Sequence, residues 1–256
     1  MLYNLRNMTP ENAAAVEPEP SGMGEFSRLV GVFFEPTKTF RDIAQRPSWI
    51  VPMVLVILAS LGFAYTLSQR VGWDRVIQQQ NEASSRFQQA PPEQREQGLA
   101  LQRKIVPVSF YGGSILAPPI VSLIVAAVLL GITALMAAGL RFKQVFAAVV
   151  WAGIPRVLSA ILTIVVLFMK NPDEFNLRNP LAFNAGAFMD PTSGSKFVYA
   201  LATSLDLFVL WNIFLIATGL KAAAGKRLTF TGALVAVLVP WAILTLGGAA
   251  IAGAFA

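Results

Sequence analysis

The feature that most constrains the fold is an apolar run at residues 145–169 with one charge, Arg156, near its middle. A helix of this length rises about 1.5 Å per residue and crosses a bilayer hydrocarbon core of about 30 Å. Arg141 and Lys143 precede the run, and Lys170 follows it. At helical spacing, small residues share the face of Arg156 and branched residues the opposite face, so the small face should meet other helices. The run predicts a membrane-spanning helix, and an arginine at that depth predicts a polar partner.

The composition supports a membrane protein and argues against several kinds of site. With 55% hydrophobic residues, 13% charged residues and a mean hydropathy of +0.59, the chain is more apolar than a typical soluble domain. It has neither cysteine nor histidine, the usual residues of thiolate nucleophiles, zinc sites and Ser-His-Asp triads. We therefore expect no catalytic, cofactor-binding or metal site and interpret the protein as not an enzyme. The net charge of +6 is spread around the apolar runs, so we expect no nucleic-acid partner.

Four further apolar runs predict an all-α, polytopic helix bundle with five transmembrane helices. The predicted spans are about 48–67, 110–140, 145–169, 197–220 and 231–255. The start of the second span is open, because Pro118 and Pro119 either begin a helix or kink a longer one. We favour the kinked helix, since apolar residues already begin at Ile115.

Three segments outside the spans have distinct compositions. Residues 1–24 are rich in proline, glutamate and alanine and predict a disordered cytoplasmic tail. Residues 25–46 are amphipathic, with aromatic side chains among bases, and two interpretations stay open: helices lying on the membrane surface, or a cap packed on the bundle. Residues 68–107 predict an extramembrane helical insert of two short helices, interrupted at Pro91.

The distribution of charge predicts which way the bundle faces. The short turns after the second and fourth spans hold five bases and no acid, whereas the two opposite loops mix bases with acids. The bases are Arg141, Lys143, Lys221, Lys226 and Arg227. Because short cytoplasmic loops carry an excess of Lys and Arg, we expect a cytoplasmic amino terminus and a carboxyl terminus on the other side.

Polar residues within the spans are candidates for structural or functional contacts. Arg156 lies in the third span, and Asp206 and Asn212 lie in the fourth. Along ideal helices the first two differ in depth by about 6 Å, which an arginine side chain can reach. We predict an Arg156–Asp206 ion pair inside the bundle, with Asn212 a further intramembrane polar candidate. The alternative is that one of these charges binds a solute.

Three segments also resemble a known family. The run FEPTKTF at residues 34–40, followed by Pro47 and Trp49, is similar to the segment that leads into the first span of the Yip domain family, the Ypt/Rab-interacting membrane proteins. The run RFKQ at 141–144 with Pro155 resembles that family's third span. Matches to the fourth span are Leu205, Asp206, Leu207, Phe208, Trp211, Leu215, Gly219 and Leu220.

The resemblance extends over residues 28–241 and is strongest to the bacterial branch. It implies five transmembrane helices with a cytoplasmic amino terminus and brings no catalytic residues. Eukaryotic members are associated with vesicle traffic and bind Rab GTPases and one another.

The function that these observations favour is a non-enzymatic scaffold or adaptor in membrane organisation or trafficking. Its expected surroundings are the lipid bilayer and a membrane-protein partner or a second copy, in the cell membrane, which is the inner membrane if the source is bacterial. The alternative is a small transporter or lipid-handling protein, because intramembrane charges often mark pathways. An intramembrane enzyme is disfavoured, since Asp206 is the single carboxylate within the predicted spans.

Overall fold

The chain folds as a bundle of helices. A computed structural model describes residues 22–82, 84–172, 175–177, 179–189 and 195–254. The α-helices in these ranges are α1 (Glu25–Phe34), α2 (Pro36–Gln45), α3 (Ile50–Arg70), α4 (Trp73–Glu82), α5 (Ser85–Gln89), α6 (Pro92–Leu135), α7 (Phe142–Ala152), α8 (Ile154–Met169), α9 (Lys196–Ser204), α10 (Leu207–Ala224) and α11 (Phe230–Ala254). Five helical segments are long and apolar enough to cross a membrane, which confirms the predicted five-span, all-α architecture.

The second span is much longer than the predicted range of 110–140. Helix α6 runs for 44 residues from Pro92 to Leu135 and passes through Pro107, Pro118 and Pro119 without ending. At about 1.5 Å per residue it is about 66 Å long, twice the thickness of a hydrocarbon core. The short helix predicted after Pro91 is therefore the beginning of α6, and the one predicted before Pro91 is divided into α4 and α5.

Two other predicted spans are interrupted. The third span consists of α7 and α8, which meet at Gly153. The fourth consists of α9 and α10, separated by Leu205 and Asp206, both outside helical geometry. Broken helices expose backbone polar groups, which at membrane depth must find partners within the protein. These two breaks shape the interior of the bundle.

The core of the bundle is centred on α7. Every residue at 145–152 is buried, because α2, α3, α6 and α10 all pack around this helix. The Trp151 ring is wholly buried, and its Nε1 donates a hydrogen bond to the Ser48 carbonyl oxygen at 2.9 Å. Exposed apolar side chains are numerous on α3, α6 and α11, as expected of surfaces that face lipid.

The amino-terminal helices are packed on the bundle through α2. Phe40 is 1% exposed and lies against Gly219 of α10, where an added Cβ would come within 2.9 Å of the Phe40 ring. The same Cβ would lie 2.7 Å from the Cβ of Ala148 on α7. Helices α2, α7 and α10 can therefore approach one another this closely only with glycine at 219. Of the two interpretations of residues 25–46, α2 fits the cap packed on the bundle. The outer face of α1 is exposed.

A smaller apolar cluster lies at the opposite end of the bundle. Leu67, Val76, Leu167 and Phe175 are buried there between the insert, α8 and the loop that follows it. The predicted disordered tail at 1–24 lies outside the described residues up to position 21.

Candidate functional site

The candidate site begins with the interruption of the third span, which the sequence Gly153-Ile154-Pro155 explains. Proline has no N–H, so Pro155 cannot donate to the Trp151 carbonyl as a helix would require. The Gly153 amide donates to the carbonyl three residues before it, that of Val150, at 3.0 Å, and the Arg156 amide donates to the Gly153 carbonyl at 3.0 Å. In a regular helix the Arg156 amide would donate to the Ala152 carbonyl, so that carbonyl is left without its usual donor.

Asn212 of α10 completes this interruption. Its Nδ2 donates to the Ala152 carbonyl at 2.7 Å, and its Oδ1 accepts a hydrogen bond from Nη2 of Arg156 at 3.4 Å. Asn212 is 7% exposed, so both ends of its amide are satisfied inside the protein. One side chain thus supplies the partner missing from the broken helix and orients the guanidinium beside it.

Arg156 faces a cavity of about 620 Å³ that lies among α3, α6, the α7–α8 segment and α10. The arginine is the fifteenth of the 28 residues in the span Phe142–Met169, so it lies near the middle of that span. The Arg156 side chain is nevertheless exposed, because it lines the cavity. Helix α6 packs on α3 and α7 and leaves this space between itself and α8.

The wall of the cavity is mainly apolar, with a few small hydroxyl side chains. Ser60, Ser114 and Thr163 each donate to a carbonyl oxygen of their own helix at 2.7–2.9 Å, so their hydrogens are already used. Arg156 is consequently the wall's main source of free hydrogen-bond donors. The other polar residues of the wall are Ser122, Ser159 and Asn212.

A loop closes the end of the cavity nearest the insert. Leu177 and Pro180 line this end. Gln79 of α4 holds the loop with two hydrogen bonds: its Nε2 donates to the Phe175 carbonyl at 2.7 Å, and its Oε1 accepts from the Leu177 amide at 3.1 Å. The insert therefore positions part of the cavity wall.

Asp206 is not the partner of Arg156. It is the N-cap of α10, where its Oδ1 accepts from the amides of Phe208 at 2.8 Å and Val209 at 3.3 Å. The Leu207 amide donates to the Phe183 carbonyl at 3.1 Å, so the interruption of the fourth span is satisfied by the preceding loop. The predicted Arg156–Asp206 ion pair is not formed, because the carboxylate already serves this helix end. The structure brings Arg156 to Asn212 instead.

The charge network that the structure does contain lies at the amino-terminal end. Arg28 is 3% exposed, and its Nε and Nη2 both lie 2.7 Å from Oδ2 of Asp42. Its Nη1 donates to Ser48 Oγ at 2.7 Å and contacts Glu25 Oε1 at 3.2 Å. The Nη2 group also donates to the Arg46 carbonyl at 3.1 Å. This network joins α1, α2 and the segment leading into α3.

The Yip1 domain family model matches residues 30–251, which is most of the chain. The chain belongs to the Yip1 domain family. No curated protein and no solved structure matches it. In this Yip1 domain the matched range includes the Arg156 cavity, both interrupted spans and the end of α1. The resemblance inferred from residues 34–40, 141–144 and 205–220 is thereby confirmed.

Sequence reasoning located the charges of the Yip1 domain but not the two sites they form. Arg28 was one base among several in an amphipathic segment, and only the fold brings Asp42 and Ser48 to it. The cavity also escaped detection, since it depends on how far α6 stands from α8. The available signal was Pro155 directly before Arg156, which marks a helix interruption next to an intramembrane charge.

Proposed function

We propose that this Yip1 domain protein is a non-enzymatic scaffold or adaptor of the cell membrane, which presents its amino-terminal helix pair to a membrane-protein partner or a second copy. The observation that carries the proposal is the rigid attachment of α1. The Arg28 network fixes α1 to α2, and α2 is packed into the bundle. A surface held in this way can be presented without the entropy cost of ordering a loose segment.

The exposed face of α1 is the surface that would be presented. Phe26 is 78% exposed and Phe34 80%, with Val30 between them on the same side of the helix. Large exposed apolar side chains on a fixed helix mark a protein or membrane contact. Lys38, nearby on α2, pairs with Glu35 at 2.8 Å, and this hydrogen bond and the charge of Glu35 raise the pKa of Lys38. The pair is exposed at the surface beside the α1 face, and Glu35 offsets the positive charge of Lys38 there.

Site-specific photocrosslinking in native membranes tests this role. Benzoylphenylalanine at Phe34 should give one protein adduct of defined mass, either with a partner or with a second copy of the chain. The control position is Leu244 of α11, which is 77% exposed and should give lipid adducts alone. Lipid adducts alone at both positions would contradict the scaffold proposal.

A second candidate function, lipid handling or small-solute transport, is favoured by the Arg156 cavity. A charge at the middle of a span that opens into a cavity is typical of binding sites in membrane proteins. Movement of a fluorescent phospholipid between leaflets of vesicles, measured with and without the purified protein, tests this candidate. Equal rates in both samples would contradict lipid handling.

A further inference from the structure

We propose that the Arg156 cavity binds an anionic amphiphile, with the guanidinium holding a phosphate or carboxylate group and the apolar wall holding part of an acyl chain. The inference states which class of ligand a lipid-handling protein of this kind would bind. The biological use of the site rests on that candidate function, whereas the binding itself does not. It stands on the position of Arg156, its hydrogen bonds and the shape of the cavity.

The first argument is the charge of the cavity. No carboxylate within the described ranges forms an ion pair with Arg156, and no Asp or Glu is among the residues that line the cavity. An unpaired arginine at the centre of a span is costly, and such residues pair with other groups or face a water-filled cavity. A bound anion would give Arg156 the opposite charge that its neighbours do not supply.

The second argument is the orientation of the guanidinium. Asn212 accepts from Nη2 at 3.4 Å and is itself held by the Ala152 carbonyl, so one corner of the planar group is directed toward α10. The remaining N–H donors of Arg156 have no acceptor among the described side chains and carbonyls. A guanidinium fork binds phosphate and carboxylate through two parallel hydrogen bonds. The pre-set orientation reduces the entropy cost of forming them.

The third argument is the shape and polarity of the space. About 620 Å³ is within the range of roughly 300–1,000 Å³ that small-molecule sites occupy. Met53, Val56, Val121 and Val125 form an apolar wall on α3 and α6 that faces the side carrying Arg156. A free phosphate ion would leave this wall hydrated, whereas an acyl chain would cover it. The combination favours an amphiphile with one negative charge over an inorganic anion.

The polarity of the site also favours an anionic over a zwitterionic headgroup. Phosphatidylcholine would bring a quaternary ammonium with its phosphate, and no acidic side chain lines the cavity to meet it. Phosphatidylglycerol and palmitate each carry one negative charge and satisfy Arg156 alone. The shared chemistry is an oxyanion on an apolar chain, and the experiment distinguishes the two sources.

Native mass spectrometry of the full chain released from nanodiscs tests the inference. In an equimolar mixture of phosphatidylglycerol and phosphatidylcholine, the wild type should retain one phosphatidylglycerol. Arg156→Leu should reduce this retention about tenfold, equivalent to about 1.4 kcal/mol. Lys143→Leu removes an exposed charge outside the cavity and should leave retention unchanged.

A second variant controls for loss of lipid that is caused only by misfolding of Arg156→Leu. Ser122→Phe keeps Arg156 but fills part of the cavity from the α6 side, so it should also lose the bound lipid while remaining folded. Equal retention by the wild type, Arg156→Leu and Ser122→Phe would overturn the inference. Retention of phosphatidylcholine as strong as that of phosphatidylglycerol would overturn the preference for an anion.

Competition separates the ligand sources and the biological role. Displacement of phosphatidylglycerol by palmitate, and not by inorganic phosphate, supports an amphiphile site. Displacement by inorganic phosphate at comparable concentration would overturn it in favour of a free-anion site. Arg156-dependent retention without any movement of lipid between leaflets would contradict the lipid-handling function and leave the binding inference supported.

Discussion

At the scale of residues, Arg28 and Arg156 have opposite surroundings, since Arg28 is buried and Arg156 is exposed to a cavity. Arg28 makes contacts with two carboxylates, a hydroxyl and a backbone carbonyl. Arg156 has one amide oxygen at 3.4 Å and opens into a cavity. Removing one member of a buried ion pair leaves the other uncompensated, whereas removing an unpaired charge from a membrane span does not. The two residues should therefore respond differently to substitution.

Arg28→Ala should lower the free energy of unfolding by about 3 kcal/mol, the low end for a buried pair, because Asp42 would lose its charged partner and its side chain is only 15% exposed. Chemical denaturation of the purified protein in detergent measures the loss. Arg41→Ala is the matched control on the exposed side of α2 and should change stability by less than about 0.5 kcal/mol. Equal losses in the two variants would mean that the network contributes nothing specific.

Asp206→Ala should cost about 0.5–2 kcal/mol, because the amides of Phe208 and Val209 lose the N-cap acceptor. Asp206→Asn keeps an N-cap acceptor and should remain close to the wild type. Combined with Arg156→Leu, the effects of Asp206→Ala should add within about 0.3–0.5 kcal/mol, since the two side chains are not paired. A coupling of several kcal/mol in this double-mutant cycle would restore the ion pair that the sequence alone predicts.

At the scale of elements, the number of spans follows from the sequence, but their interruptions do not. Spans are predicted from the mean hydropathy of a window of about 20 residues, and this mean does not show that a single residue lies outside helical geometry. Leu205 and Asp206 were therefore included in one continuous fourth span. The sequence favours a helix that continues through Pro118 and Pro119 over one that begins there, but it does not predict that this helix starts as early as Pro92.

The same limit applies to the site. The sequence identifies Arg156, Asp206 and Asn212 as polar groups in the membrane, but depth alone cannot choose between two possible partners for an arginine. The choice depends on the carbonyl of Ala152, which becomes available only because Pro155 interrupts the helix. A local sequence pattern does not show which side chain from another helix reaches this carbonyl.

Gly219→Val should reduce the free energy of unfolding by about 1–3 kcal/mol, because its side chain would displace Ala148 or Phe40 from the contact of α2, α7 and α10. Thermal unfolding in detergent measures the effect. Gly131→Val in α6 is the control, since a Cβ there meets nothing within 4 Å. If Gly131→Val proved as destabilising as Gly219→Val, helix propensity and not close packing would be responsible.

At the scale of the whole molecule, the two ends of the bundle differ in construction. One end carries the α1–α2 pair and the basic turns, and the other carries the insert and the loop that closes the cavity. The positive-inside rule predicts that the first of these ends is cytoplasmic. That orientation would make the α1 face available to cytoplasmic partners and place Gln79 and its loop outside.

Single cysteines test this orientation directly, since the chain has none of its own. A cysteine at the exposed position Glu96 should react with an impermeant thiol reagent added to intact cells. A cysteine at Lys226 should react only after the membrane is permeabilised. Labelling of the Lys226 position in intact cells would reverse the predicted topology.

The central claim is that Arg156 is held open for a bound anion and does not serve as a structural charge pair. Thermal unfolding of the wild type and Arg156→Leu, with and without phosphatidylglycerol in detergent, tests it most directly. A ligand that binds only the folded state stabilises it by about 2.7 kcal/mol at a hundred times its Kd. The account predicts that lipid raises the Tm of the wild type alone, and that lipid-free Arg156→Leu is at least as stable as the lipid-free wild type. A lipid-free variant less stable than the wild type, with equal lipid-induced shifts in both proteins, would contradict it.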